Sequence, residues 1–279
     1  MRRLRSSLPL VVLVSVAGVL LNLNGCGGAS HANHVISQKI QHVVVIFQEN
    51  RSTDNLFQDP VLVSRGADIA GSGVNSAGQT ITLTPVDMAS SYDMTHSHKA
   101  FEQMYDGSKM DGADLISVVC PAGVTHCAPP NAPFVYVNPS EIAPYFALAE
   151  QYTFGDRMFQ TNQGPSFPAH QFIISGTSEP SVGSNLFAAE NLNAVSDNAG
   201  CIAAPNITVA LIDPSGNESQ ATYPCYEHPT LTDLLKAKGV SWKYYAPSPG
   251  SIWTAPNAIE HMCGSNNPPP TRMSPRFSA

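Results

Sequence analysis

Three short stretches hold the side chains that could do chemistry. The first is Glu49-Asn50, within Phe47-Gln48-Glu49-Asn50-Arg51-Ser52. A carboxylate beside a carboxamide could coordinate a hard divalent cation through oxygen. The same pair equally suits a turn leading into a helix cap. The second is Thr161-Asn162-Gln163-Gly164-Pro165-Ser166-Phe167-Pro168-Ala169-His170. Ser166 lies in a Gly/Pro-constrained turn just before an expected helix start, where free N–H groups favour an anion such as a phosphate. It is a candidate nucleophile, and an N-cap serine is the competing structural reading. The chain has no Gly-x-Ser-x-Gly elbow, which argues against an acyl hydrolase.

The third stretch is Asp93-Met94-Thr95-His96-Ser97-His98. Histidines at i and i+2 do not share a helix face, so a helical zinc pair is excluded. On an extended segment they could share a face, or one could donate to a bound phosphate. Downstream, Tyr105-Asp106-Gly107-Ser108-Lys109-Met110-Asp111-Gly112 is a Gly-punctuated loop that shapes a pocket or simply turns.

The elements that must hold these residues follow from periodicity. His42-Val43-Val44-Val45-Ile46-Phe47 reads as a strand buried on both faces of a parallel sheet, which puts Glu49-Asn50 at a strand end, where α/β folds bind ligands. Residues 64–80 read as loop. Pro144 to Gln151 has helical spacing, with Tyr145, Leu148 and Ala149 on one face. Ala169 to Ser175 reads as a helix with Pro168 first and Gly176 as terminator. Residues 181–224 show little periodicity and read as an insertion or covering loop. Leu231 to Lys238 reads as a helix that Gly239 ends, followed by a strand over Val240 to Tyr245. The whole predicts an α/β fold with a mostly parallel sheet.

The 279 residues carry 43% hydrophobic side chains, enough for a sizeable core, and a net charge of −7. An acidic chain with few clustered Lys or Arg is a poor polyanion ligand, so no nucleic-acid partner is expected. Arg2, Arg3 and Arg5 precede an uncharged run from Leu8 to Leu21, shorter than the ~20 residues that span a bilayer. This is the pattern of a secretory signal. Leu23-Asn24-Gly25-Cys26 resembles a bacterial lipobox, with Asn24 in place of the usual small residue. Cys26 would then be lipidated and anchor the protein to a membrane; an ordinary cleaved signal is the alternative. Residues 1–26 are thus a signal segment and 27–39 a tether. Of the six cysteines, Cys120 with Cys127 and Cys201 with Cys225 make plausible local disulfides in an oxidising compartment, leaving Cys263 over. Residues 264–279 are proline-rich, without apolar period, and read as an irregular tail.

Taken in order, these segments resemble the bacterial phosphoesterase family, which contains phosphatidylcholine-type phospholipases C and acid phosphatases. The resemblance opens at Gln41-His42-Val43-Val44-Val45-Ile46-Phe47-Gln48-Glu49-Asn50-Arg51-Ser52 and continues in His96 through Gly112. It runs on through Tyr145-Phe146-Ala147-Leu148-Ala149-Glu150-Gln151-Tyr152-Thr153-Phe154-Gly155-Asp156-Arg157, then Gly164-Pro165-Ser166 to Ser175-Gly176-Thr177. It returns at Thr230-Leu231-Thr232-Asp233-Leu234-Leu235 and Gly239-Val240-Ser241-Trp242-Lys243-Tyr244-Tyr245, covering a phosphoesterase domain over residues 40–263.

The resemblance implies an alkaline-phosphatase-like fold, a mostly parallel central sheet flanked by helices, and hydrolysis of phosphoric esters, phospholipid among them. By position, Glu49, Asn50 and Ser166 match metal ligands and Ser166 the nucleophile. Asn50 and His96 match phosphate-binding residues, with His98 the second choice. One divalent metal ion is implied, which would lower the pKa of the Ser166 hydroxyl. Ser166 would attack phosphorus in line and form a phosphoseryl intermediate. The family's distal half supplies an acidic pair and a histidine that have no counterpart here, so the resemblance also implies a chain whose C-terminal part is missing, weak or inactive by itself. The expected location is outside the cytoplasm: outer-membrane lipoprotein, periplasmic or secreted. A non-catalytic surface lipoprotein that binds through the same fold is the alternative.

Overall fold

The computed structural model describes residues 40–194, 198–248 and 250–263. The signal segment, the tether and the tail lie outside the described residues. The chain divides into two compact units, Met1–Glu49 and Asn50–Ala279.

In the first unit, residues 40–49 form no strand, and their apolar side chains face solvent, Val43 at 81% and Ile46 at 85% exposure. The expected buried strand over His42–Phe47 is therefore not formed. β-branched composition fits a pleated, half-buried surface, but a strand buried on both faces also needs a hydrogen-bonded neighbour, and its own unit provides none among the described residues.

The second unit begins with two short helices, α1 (Thr53–Leu56) and α2 (Pro60–Ser64), capped by Ser52 and Asp59. The Gly/Ser/Asn-rich stretch read as loop holds most of a hairpin, β1 (Ser72–Val74) against β2 (Thr80–Thr82). There the Asn75 side chain accepts from Ala77 and Gln79, and Gly78 takes a positive φ of 74°. β3 (Thr84–Val86) and β4 (Asp93–Met94) follow, then α3 (His98–Tyr105) and β5 (Val118–Val119). β6 (Val135–Val137) runs parallel to β3, and β4 pairs antiparallel with β5. α4 (Ala143–Gln151) forms as expected. Its packing face holds Tyr145 and Phe146, which meet Phe57 at ring-centroid distances of 6.5 and 6.4 Å, while Leu148 stays exposed.

α5 (Ser166–Ser175) ends at Gly176 in the left-handed region, as the sequence predicts, but begins two residues before the Pro168 expected at its first position. It packs on β7 (Phe187–Leu192). β7, β8 (Val209–Ile212) and β9 (Gln220–Thr222) make an antiparallel three-stranded sheet. The stretch 181–224, read as an insertion or cover, therefore builds the largest sheet among the described residues. Its strands are short, and the register of β7 shifts between Ala188 and Leu192, which breaks the alternation that periodicity detects.

α6 (Leu231–Ala237) starts with a reciprocal Thr230–Asp233 capping box. No strand follows it. The Val240 N–H turns back to Leu235 O at 2.9 Å, across Gly239 at φ 67°. The helix end thus takes the hydrogen bond that would have opened the strand. α7 (Glu260–Cys263) closes the described chain.

The larger core lies between α5 and the antiparallel sheet, with Phe167, Ile174, Val209, Tyr226 and Ile259 at its centre. The Phe167 and Tyr226 rings meet edge to face at 5.9 Å. A smaller core joins Leu56, Val137 and Ile142. The class is mixed α/β. Of the mostly parallel sheet that the sequence predicts, the described residues hold one two-stranded ladder, β3–β6, and two isolated parallel bridges, Ser181 with Glu227 and Tyr226 with Ile259; the other strand pairs are antiparallel. Disulfides join Cys120 to Cys127 and Cys201 to Cys225, while Cys263 is a free, buried thiol. No helix among the described residues is long and apolar enough to cross a membrane.

Candidate functional site

Ser166 is the first residue of α5, and Pro165 occupies the N-cap position in extended geometry. The segment before it is pressed onto β7. A Cβ built on Gly164 would stand 2.7 Å from Pro168 Cγ and closer still to the Ala189 carbonyl oxygen, so only glycine fits there. The Asn162 side chain donates to Gly164 O at 2.9 Å. The Phe167 N–H donates to Asn191 Oδ1, also at 2.9 Å, and Pro168 has no N–H. The free N–H groups expected at this helix start are thus reduced by two of its first three residues. The His170 ring, buried in the same turn, lies with Nδ1 2.7 Å from Ser166 O.

The histidine tied to this segment is His98. It opens α3 behind the N-cap Ser97, whose hydroxyl accepts from Ala100. The ring is 2% exposed. Its Nδ1 lies 2.5 Å from Glu218 Oε1, and Nε2 lies 3.2 Å from Gln163 Oε1. Glu190 Oε1 accepts the His98 backbone N–H at 2.8 Å. Glu190 and Asn191 are consecutive residues in the irregular part of β7, so one β-bulge serves the starts of both α3 and α5. Bulges redirect side chains in this way. Burial pushes the Glu190 carboxyl above the usual carboxylate range, against the His98 N–H that pulls it down. Next to this network an open groove of about 590 Å³ is lined by His98, Lys99, Glu102, Glu190, Asn217 and Glu218.

The other sequence-predicted residues sit elsewhere. His96 is exposed, with Nδ1 2.8 Å from Met94 O. Glu49 closes the first unit and Asn50 opens the second. Asn50 is exposed with a left-handed φ of 61°, and Ser52 caps α1 by accepting from Asn55 N at 3.1 Å. The turn-and-cap reading of this stretch is thus what the backbone forms. Arg51 and Asn55 fasten it, the guanidinium to Met88 O and the Asn55 amide to Val135 O in β6. The loop after α3 turns rather than lines this groove: Lys109 pairs with Asp106 at 2.6 Å.

Sequence reasoning missed Glu190, Asn191 and Glu218. Glu218 is 120 residues from His98, a separation that no local spacing rule reaches. One signal was available. Asp213-Pro214-Ser215-Gly216 between Val209–Ile212 and Gln220–Thr222 is a turn flanked by strand-length runs. In the structure the Asp213 carboxylate accepts from Ser215 and Asn217, and those hydrogen bonds, that of Asn217 first, hold its pKa low.

A divalent ion finds an incomplete donor set. Among the described residues no three His, Cys, Asp or Glu side chains are gathered to hold a metal. Glu49, Asn50 and Ser166 would offer one carboxylate, one amide and one hydroxyl, where hard cations take about six or more oxygens. These residues do not by themselves fit the ion.

The mixed α/β unit thus sets a serine at a helix start, and Gln163, three residues earlier in the chain, meets a histidine that a carboxylate holds. The sequence profile of the Phosphoesterase family matches residues 40–272, and the chain belongs to that family. Membership supports a phosphoric ester hydrolase in general. No curated protein matches the chain.

Proposed function

We propose that the protein hydrolyses phosphoric esters of the phospholipase C or acid phosphatase type, with Ser166 as nucleophile. The observation that carries this reading is the placement of Ser166 on a turn held from both sides, by the close approach of Gly164 to β7 and by Asn191 on the next N–H. Pre-organisation of that kind is what an attacking group needs. The Ser166 oxygen would bond to phosphorus in line as the ester P–O bond breaks. The serine proton would leave, the departing alcohol would gain one, and water would then hydrolyse the phosphoseryl ester. Asn50 and His96 are the proposed phosphate-binding residues. With its Nδ1–H given to Met94 O, His96 can donate from Nε2 only as imidazolium.

A divalent ion enters the proposal as a requirement that the chelator tests, with Glu49, Asn50 and Ser166 as candidate donors that do not complete its ligand set. When bound, it would supply positive charge to the phosphoryl oxygens. Export, and anchoring through a lipidated Cys26, complete the reading. The two disulfides support it, since such bonds persist in oxidising compartments. The test is hydrolysis of a chromogenic phosphomonoester and a phosphocholine diester, with and without chelator, beside Ser166→Ala. Turnover that Ser166→Ala abolishes supports the nucleophile, and loss with chelator supports the ion. A folded chain without turnover favours the non-catalytic binding module.

A further inference from the structure

We infer that Glu218 is a positioning residue, which fixes the orientation of His98 and through it the conformation of the segment Gln163–Ser166. The inference rests on the proposed role of Ser166 for its catalytic consequence, but not for its structural content. Among the described residues the buried His98 ring links α3 to the segment ahead of Ser166, and both ring nitrogens are engaged. A carboxylate offers no hydrogen, so the ring nitrogen facing Glu218 must carry one, and Nδ1–H donates to Glu218. That hydrogen bond sets the ring plane and aims Nε2 at the Gln163 amide, three residues before Ser166. The amide is held by whichever of its ends suits Nε2.

The sheet turns this contact into a constraint. Glu218 stands in the β8–β9 connection, and Glu190 in β7 of the same sheet takes the His98 backbone N–H. Asn191, next in the chain, takes the Phe167 N–H. The sheet therefore grips His98 by its ring and by its backbone, and grips α5 one residue after Ser166. The charged groups around the ring are Glu218 and Glu190 from the sheet, with Lys99 and Glu102 from α3 on the groove wall and His96 just ahead of α3. Among the described residues, Glu218 alone contacts a ring nitrogen through a side-chain carboxylate. A histidine whose second nitrogen is held by a carboxylate has a defined tautomer and direction. Glu218 has a side chain 28% exposed, so its replacement leaves the apolar core intact.

The test uses the purified protein and two variants, Glu218→Gln and Glu218→Ala. Nitrogen-15 shifts of His98 report which ring nitrogen is protonated, and amide hydrogen exchange reports the order of residues 163–167. The wild type is expected to show protonated Nδ1 and protected amides. Glu218→Gln, which keeps an acceptor oxygen, should retain both. Glu218→Ala should lose both, and kcat should fall about ten- to a hundredfold with KM little changed, the scale expected for misplacing a reacting group. A neutral His98 protonated on Nε2 in the wild type overturns the inference, whether or not either variant folds. Unchanged His98 shifts and unchanged exchange in Glu218→Ala overturn it as well. If the wild type shows no turnover, the proposed hydrolysis fails, while the shifts and the exchange still decide the role of Glu218.

Discussion

Replacing Gly164 by alanine should both loosen the fold and misplace Ser166. The new methyl would lie 2.7 Å from Pro168 Cγ, 3.0 Å from the Ala189 carbonyl carbon and nearer still to its oxygen. Ordinary contact begins near 3.4 Å, so the segment must retreat from β7 by about 1 Å to relieve the overlap. The obstruction is backbone on one side and a buried proline on the other, and neither can swing away. Overpacking of this kind costs about 1–3 kcal/mol. The retreat also pulls the Phe167 N–H from Asn191, a bond worth about 1 kcal/mol. A loss of about 2–4 kcal/mol in urea unfolding is expected. A displacement of about 1 Å at Ser166 should lower phosphoester turnover about a hundredfold. Gly155→Ala is the control, because its Cβ would meet nothing within 4 Å. A Gly164→Ala protein with the midpoint and turnover of Gly155→Ala would refute the argument that this turn is fixed by close approach to β7.

Tyr226→Phe should stabilise the fold or leave it unchanged, within about 1 kcal/mol, because the buried hydroxyl has no hydrogen-bond partner among the described residues. Thermal unfolding of that variant checks it, and a clear loss would reveal a partner. Glu190 titrates higher in the fold than in the unfolded chain, owing to burial. Its contribution to stability is therefore complete below the unfolded carboxylate pKa and is lost as pH rises through the raised folded value. In Glu190→Gln that part of the pH dependence should disappear from denaturant midpoints measured across the acidic range; an unaltered profile would count against the shift. Replacing both Cys201 and Cys225 by serine opens a loop with a sequence separation of 24, and should cost about 3.5 kcal/mol by the chain-entropy relation. The Cys120–Cys127 pair, at a separation of 7, should cost less, and parallel unfolding curves test that order.

Features encoded within a few residues were legible in the sequence. Gly176 ends α5 because a left-handed residue closes a helix. The Ala143–Gln151 and Leu231–Ala237 helices follow from spacing and capping residues. The two short-range cysteine pairs close as their spacing suggested. Ser166 stood out because glycine and proline around it can serve little else than a constrained turn. What depends on distant neighbours was not legible. Val43–Phe47 and Val240–Tyr245 have strand composition, yet a strand exists only where a partner completes its hydrogen bonds, and composition does not name the partner. Residues 181–224 form a sheet because a bulge and a polar turn bring short segments into register, and neither leaves a period to read. That sheet alone sets the two histidines apart by burial. His96 and His98 are equivalent by type and spacing, but only His98 is buried where Glu218, Glu190 and Gln163 converge on it, since burial is decided by what packs from elsewhere in the chain.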